Sequence, residues 1–351
     1  MAFDKSYDGP PTGSASGNRE QLLDLTTVLA PRQAPVYGML PKQAATADLV
    51  EWTVDNLRDA DADNAVEEGI DVGTSGGDSL KAQFGSLSRL NNRLQHFRDT
   101  FNVSKKQELF DSVTPVRIQE AEEKATSQLL RDIEKAICSD NTAVVGADGT
   151  AGKFRALGAW TNPSGAGDAV AGGVAEIPAA FRTSSDAVIS SSSTELTESS
   201  FNGLLTAIFE ETGEQSDHVL VAGTTVRNKI IDGFTRVRTV ANQNAGGDTL
   251  IASGNSTTFN QGDGSEIVYN VEIFQGPFGI VKIISANPKC IADQKRAYLL
   301  DPSLLGYAEA MSIGSTMLED QGGGPRGYID HMGTLICRGP NGLGKITDFA
   351  V

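Results

Sequence analysis

Residues 49–69 read LVEWTVDNLRDADADNAVEEG, and this stretch carries most of the fold information in the chain. In its first part, Val50, Trp52 and Val54 alternate with polar residues. Successive side chains of a strand point to opposite faces, so this alternation predicts a two-faced strand. The chain then becomes acidic, because residues 59–78 contain seven Asp or Glu and no Lys or Arg. Such a segment is typical of an exposed loop tip.

The returning limb, residues 79–106, has the opposite charge. It carries six Lys or Arg and one Asp, a balance of about +5. One interpretation is a hairpin with two solvated faces of opposite sign. The other is that the tip of one copy contacts the limb of a neighbouring copy. The residues that this second interpretation selects are Asp59, Asp61, Asp63, Glu67, Glu68, Arg89, Arg93 and Arg98.

The hairpin formed by the strand and the limb has one modest apolar row. An isolated two-stranded hairpin is marginal in water. We therefore predict that it does not hold its shape in the monomer and gains order by lying across a neighbouring subunit.

The most regular helical pattern follows Thr114, an expected N-cap, and Pro115, which suits the first helical position. Apolar residues then recur at steps of three and four, which predicts a helix of about 24 residues and about 36 Å. The predicted apolar face consists of Ile118, Ala121, Ala125, Leu129, Ile133 and Ile137, and the predicted polar face carries Glu122, Glu123, Arg131 and Glu134.

The remaining sequence predicts an arm and an α+β segment. Residues 1–47 contain five prolines and too few apolar residues for a core of their own, so they must lie across another part of the structure. Residues 140–197, rich in Gly, Ala and Ser, predict irregular loops. The later predicted elements are a helix from 201 that ends at Gly213, a strand at 218–223, a helix at 224–234 capped by Thr224 or Thr225, strands at 267–274 and 279–287 joined around Gly276 and Pro277, and closing strands near 296–300, 334–338 and 345–349.

Charge and composition exclude several classes of protein. The net charge is −16, whereas binding to nucleic-acid phosphates requires clustered Lys and Arg. A net negative charge also favours solubility and slows non-specific association. The sequence has no apolar run of about 18 residues for a membrane span and no apolar signal-peptide core near residue 1. Cys138, Cys290 and Cys337 are widely spaced, which favours free thiols and synthesis in a reducing cytosol.

Three motifs resemble known metal-binding, phosphate-binding or catalytic sequences, but each lacks a feature that the site requires. The acidic tip imitates the start of a calcium loop, but Asn64 and Ile70 stand where Gly and a bidentate Glu are needed. Residues 339–347 imitate a phosphate-binding loop, yet Ile346 replaces the Ser or Thr and no helix can follow. Residues 73–77 match GxSxG, but in a loop tip. We therefore predict no catalytic, cofactor-binding or metal-binding residues, and no enzyme.

Taken in order, the hairpin, the long helix and the α/β segment resemble tailed-phage major capsid proteins of the Johnson fold, also called the Hong Kong 97-type fold, and most of all a podovirus-type subfamily. Residues 51–69 are similar to that subfamily's EWxxDxL…NAxxEG pattern. Asn91, Gln95, Val103 and Ser104 suit its returning limb. Further similarity lies in Gly213 and Asp217 with HVLVAGTTVRNKI, in YLLDP (298–302) and in GTL (333–335). The resemblance covers about residue 20 to the end.

The resemblance implies an α+β Hong Kong 97-type capsid fold with five parts. These are an N-terminal arm at 1–47, an extended E-loop at 48–100, a peripheral domain with the spine helix at 101–158, an axial domain at 159–296 and a return to the peripheral domain at 297–351. It further implies hexamers and pentamers of an icosahedral virion shell that encloses DNA without sequence-specific binding. The expected partners are other copies of the chain, a separate scaffolding protein, a portal and a cement protein. Assembly is expected in the host cytoplasm, without a membrane.

Other classes of protein remain as alternatives. An encapsulin-like compartment shares the fold but encloses enzymes. A tail-tube or adhesin protein would accommodate the Gly- and Ser-rich loops but not the long helix. Some relatives with this fold also join an E-loop lysine to a neighbour's asparagine. Residues 59–78 contain no lysine, and nearby carboxylates would keep any amine charged, so we predict no such covalent link.

Overall fold

The computed structural model describes residues 34–57, 60–63, 65, 68–69, 87–109, 117–165, 174–193, 195–234, 237–241, 248–252 and 273–350. The helices are α1 (Pro35–Met39), α2 (Lys105–Leu109), α3 (Arg117–Ile137), α4 (Leu157–Trp160), α5 (Glu198–Thr212) and α6 (Thr224–Phe234). The strands are β1 (Lys42–Ala44), β2 (Leu49–Val54), β3 (Ser88–Arg93), β4 (Gln95–Asn102), β5 (Val188–Ile189), β6 (His218–Ala222), β7 (Val237–Ala241), β8 (Asp248–Ala252), β9 (Ile273–Gly276), β10 (Gly279–Ser285), β11 (Ala297–Leu300), β12 (Leu305–Leu318), β13 (Arg326–Cys337) and β14 (Gly344–Ile346).

Helix α3 supports the larger of two apolar cores. Its predicted apolar face is confirmed, because Leu129, Ile133 and Ile137 are buried in that core. Burial of each such side chain contributes roughly 1.5–3 kcal/mol. The helix is described over 21 residues. The predicted cap at Thr114 and Pro115 lies outside the described residues.

The burial of Glu134 differs from the prediction for this helix. The periodicity places it on the polar face, but its side chain is only 1% exposed. Leu130 and Cys138, one turn before and one turn after it, are apolar, so Glu134 lies at the edge of the buried face. The partner that covers this edge comes from the arm, far away in sequence.

A four-stranded sheet in the order β1-β12-β13-β4 packs against α3. Strands β12 and β13 form a long antiparallel pair, β13 continues the sheet to β4, and β1 adds a short parallel edge beside residues 307–309 of β12. Strand β12 was not predicted. Its alternation is interrupted by two register shifts between Glu309 and Gly314, which conceal the period of two.

A six-stranded sheet in the order β5-β14-β11-β6-β10-β9 forms the second core with α5 and α6. The predicted end of α5 is confirmed, because Gly213 follows it with a φ of +68°, a conformation that suits glycine. The predicted cap of α6 is wrong. Thr224 is already the first helical residue, and its hydroxyl donates to Gln294 Oε1 at 3.0 Å.

The last part of the chain joins the two sheets. Residues 297–351 supply β11 and β14 to the six-stranded sheet and β12 and β13 to the four-stranded sheet. Two further pairs, β2–β3 and β7–β8, form hairpins. Strands β9 and β10 meet at the predicted turn, whereas residues 267–272 of the earlier predicted strand lie outside the described residues. The five-part division of the chain stays a prediction.

Candidate assembly surface

The hairpin β2–β3 is attached to the body of the subunit by a buried amide. Asn92 is fully buried, and its Nδ2 donates to the carbonyl oxygens of Arg155 and Leu335 at 3.1 and 2.7 Å. Its Oδ1 accepts a hydrogen bond from the backbone N–H of Arg155 at 2.8 Å. These three bonds tie β3 to two separate segments of the chain.

Apolar contacts strengthen this attachment. Leu90 of β3 is buried in the larger core, and the predicted inner face of β2 is confirmed because Val50, Trp52 and Val54 are half-buried while Glu51 is exposed. Trp52 Nε1 donates to the carbonyl oxygen of Cys337 at 3.0 Å. The prediction that the hairpin gains order only from a neighbouring subunit is therefore wrong for β2 and β3, which are bonded to other segments of their own chain. The prediction considered only the hairpin's own apolar row, whereas the stabilising contacts come from Leu335 and Cys337 of β13 and from the backbone of Arg155.

The acidic tip extends beyond these strands. Asp61, Asp63 and Glu68 are exposed, and Asp59 and Glu67 lie outside the described residues. Asp61 Oδ1 accepts a hydrogen bond from the Asp63 N–H at 3.0 Å, a local turn contact. These three acidic side chains therefore lie at the surface of the subunit.

The three selected arginines already have acidic neighbours within the chain. Arg89 contacts Glu51 across the hairpin at 3.3 Å, and Arg93 forms a salt bridge with Asp48. Arg98 donates two hydrogen bonds to the Asp330 carboxylate, at 2.8 and 2.9 Å. These bonds hold the pKa of Asp330 below its ordinary value.

The exposure of the three arginines differs. The side chain of Arg89 is 71% exposed and that of Arg98 is 52% exposed, whereas the side chain of Arg93 is only 15% exposed. A guanidinium has five N–H donors, so an exposed arginine can hold one acid of its own chain and a second acid from outside. Arg89 has the geometry best suited to this double contact.

The described end of the arm is fixed by Glu134. The N–H groups of Val36 and Tyr37, in the first turn of α1, donate to the two carboxylate oxygens of Glu134 at 3.0 and 2.9 Å. A carboxylate at the N-terminus of a helix satisfies free N–H groups and complements the helix dipole. Burial raises the pKa of Glu134, and the two N–H bonds offset only part of that rise. Sequence reasoning missed this site; the apolar residues at i−4 and i+4 were the available signal.

A second polar contact holds the arm to the four-stranded sheet. Tyr37 Oη donates to Glu309 Oε1 at 2.8 Å, and Lys42 Nζ lies 2.9 Å from the same carboxylate oxygen. Burial acts to raise the pKa of Glu309, but the bonds from Lys42 and Tyr37 outweigh it and lower that pKa. Tyr307 Oη and His331 Nε2 lie 3.0 Å apart in the buried core. The arm therefore has one anchor on α3 and another on β12.

The sequence that imitates a phosphate-binding loop occupies a structural position, whereas the GxSxG sequence at residues 73–77 lies outside the described residues. Lys345, in the sequence that imitates a phosphate-binding loop, lies in β14 and donates to the carbonyl oxygen of Gly158 at 2.8 Å. All three cysteines are free and buried. Among the described residues, no group of three His, Cys, Asp or Glu could hold a metal ion, and no helix is long and apolar enough to cross a membrane.

The two sheets, the long helix α3 and the hairpin β2–β3 together form the Hong Kong 97-type fold. The chain superposes on the Mycobacterium phage Bobi structure with a TM-score of 0.56, at 11% identity and 99% coverage of both chains. It superposes on the capsid of a native GTA particle with a TM-score of 0.55, at 11% identity and full coverage of both chains. For the capsid of cyanophage P-SCSP1u, the TM-score is 0.53 at 10% identity, with 95% of this chain and 93% of that chain covered.

Identities this low show the fold alone, but a sequence family identifies the protein further. The SU10 major capsid protein family matches residues 10–350, so this chain belongs to that family. No curated protein matches the sequence. Family membership confirms the resemblance to tailed-phage major capsid proteins and favours a viral capsid over an encapsulin-like compartment. The chain is a structural component of a virion.

Proposed function

We propose that this chain assembles into hexamers and pentamers of an icosahedral shell that encloses double-stranded phage DNA. The observation that carries the proposal is the family match over residues 10–350, in a chain whose whole length follows the capsid fold. In this role the protein is a structural subunit of the shell and needs no catalytic step, cofactor or metal.

The partners follow from the same role. We infer a separate scaffolding protein, a portal and a cement protein, with assembly in the host cytoplasm. The net charge of −16 supports enclosure of DNA without sequence-specific binding, because an acidic wall repels phosphates. The division into arm (1–47), E-loop (48–100), peripheral domain (101–158 and 297–351) and axial domain (159–296) belongs to this proposal.

The charges of the hairpin suggest how copies adhere. We propose that Asp59, Asp61, Asp63, Glu67 and Glu68 of one copy pair with Arg89, Arg93 and Arg98 of its neighbours. Arg89 is the leading member, since its side chain is 71% exposed while it contacts Glu51. A single exposed pair contributes only about 0–1 kcal/mol, so the effect depends on repetition over the whole shell.

Electron microscopy of the purified chain tests the shell. Expressed alone or with the scaffolding protein of the same virus, it should form closed particles built of hexamers and pentamers. Particles from infected cells should contain DNA. Protein that stays monomeric under both conditions, or particles filled with a cargo enzyme instead of DNA, would contradict the proposal.

A further inference from the structure

The outer edge of β12 is unusual for the surface of a charged protein. Residues 310–318 read AMSIGSTML and carry no charge, while Glu309 and Glu319 bracket them. At the chain's average of 21% charged residues, nine positions would hold about two charges. Met311, Met317 and Leu318 are 36%, 53% and 44% exposed. An uncharged strand is therefore presented at the surface.

The backbone of this edge is open as well. Strand β1 pairs with β12 only at residues 307–309, and the last contact is the hydrogen bond from the Ala45 N–H to the Glu309 carbonyl oxygen at 2.9 Å. On the other side, β13 pairs with β12 as far as Leu318. Within the described ranges, no strand pairs with the outer edge beyond residue 309.

Proteins normally protect such an edge with charges, proline or bulges. Here the two register shifts disturb residues 309–314, but the run from Gly314 to Leu318 pairs regularly with β13 and has no charge or proline. Five regular residues are enough for a strand to add to the sheet. The unprotected part of the edge is thus residues 314–318.

We propose that residues 314–318 of β12 pair with a strand from a second copy of this chain, and that Met317 and Leu318 pack in that contact. The inference rests on the proposed shell, in which every subunit meets other copies at high local concentration. Each copy carries a charge of −16, so copies approach most easily where charges are lacking. Backbone pairing supplies affinity in such strand addition, and side chains supply register.

Hydrogen exchange compared between unassembled protein and shells tests the pairing. In the unassembled protein, some amides of residues 314–318 should exchange quickly, because none of the described strands pairs with that side of β12. In shells, these amides should exchange at least about tenfold more slowly. Equal rates in both states would overturn the inference. Slow exchange already in the monomer would also overturn it, since residues of the same chain would then cover the edge.

A substitution provides an independent test. Met317→Lys places a charge on the edge and should prevent closed shells, while the melting temperature of the monomer stays unchanged. The matched variant Met317→Leu keeps an apolar side chain and should assemble like the unmodified protein. Normal assembly of Met317→Lys would contradict the proposed contact. If the unmodified chain forms no shells, the proposed function fails instead, so the two failures are distinguishable.

Discussion

The anchor between Glu134 and α1 allows a quantitative test by the substitution Glu134→Gln. Glutamine has nearly the same size but only one acceptor oxygen, so the two N–H groups of Val36 and Tyr37 lose one charged acceptor. The amide leaves one of these two buried N–H groups without an acceptor, which costs about 1–3 kcal/mol. Relief from burying a carboxylate reduces this loss as the pH rises and Glu134 ionises. We expect the free energy of unfolding to fall by about 2 kcal/mol.

Denaturant unfolding of the monomer, together with hydrogen exchange, measures this effect. The unfolding midpoint should fall, and the amides of residues 36 and 37 should show a larger increase in exchange than those of α5, which belongs to the other core. Glu123→Gln is the control, because Glu123 lies on the exposed face of the same helix and surface changes usually stay within about 0.5 kcal/mol. If Glu134→Gln matches this control in both measurements, the anchor does not hold the arm.

The anchor also has a predicted pH dependence. Burial raises the pKa of Glu134 in the folded chain above its unfolded value, so the folded state binds the proton more tightly. The resulting stabilisation is present below the unfolded pKa and is lost as the pH rises through the folded pKa. The stability of the unmodified chain relative to Glu134→Gln should therefore decrease as the pH rises from about 4.5, the ordinary Glu pKa. A difference that increases with pH would contradict the proposed cause of the shift.

Three further predictions follow from the hairpin. Asn92→Ala should lower the free energy of unfolding by about 2–4 kcal/mol, because the N–H of Arg155 and two carbonyl groups lose their partner. The control Asn56→Ala, at an exposed position, should have little effect. Equal unfolding midpoints of the two variants would show that β3 is held in another way. Shells should melt at a lower temperature in 1 M salt than in 0.05 M salt, because the Debye length falls to roughly 3 Å at 1 M. Arg89→Gln should reduce this salt dependence. The same melting temperature at both salt concentrations would rule out charge pairing between copies. Particles boiled in denaturant with reductant should run as one band near 37.0 kDa, and a surviving ladder of multimers would show that subunits are covalently joined.

The elements that were predicted correctly are those whose signal lies within a few residues. The alternation around Trp52 gave the two faces of β2, and the three- and four-residue steps to Ile137 gave the buried face of α3. Gly213 marked the end of α5 because a left-handed residue there is a local requirement. The acidic tip and the lack of lysine in residues 59–78 are properties of the sequence itself.

The tertiary structure decided which residues meet across long distances in sequence. The apolar neighbours of Glu134 one turn away place it at the edge of the buried face, but it becomes an anchor only because residues 36 and 37, 98 and 97 positions away, place two N–H groups beside it. Asn92 holds the hairpin through Leu335, 243 positions away, and the exposed edge of β12 is defined by where β1 stops pairing. Local sequence sets backbone preference and the period of burial. The partner of a buried polar group, and the free edge of a sheet, depend on loop closures that bring distant segments together, and no local pattern encodes them.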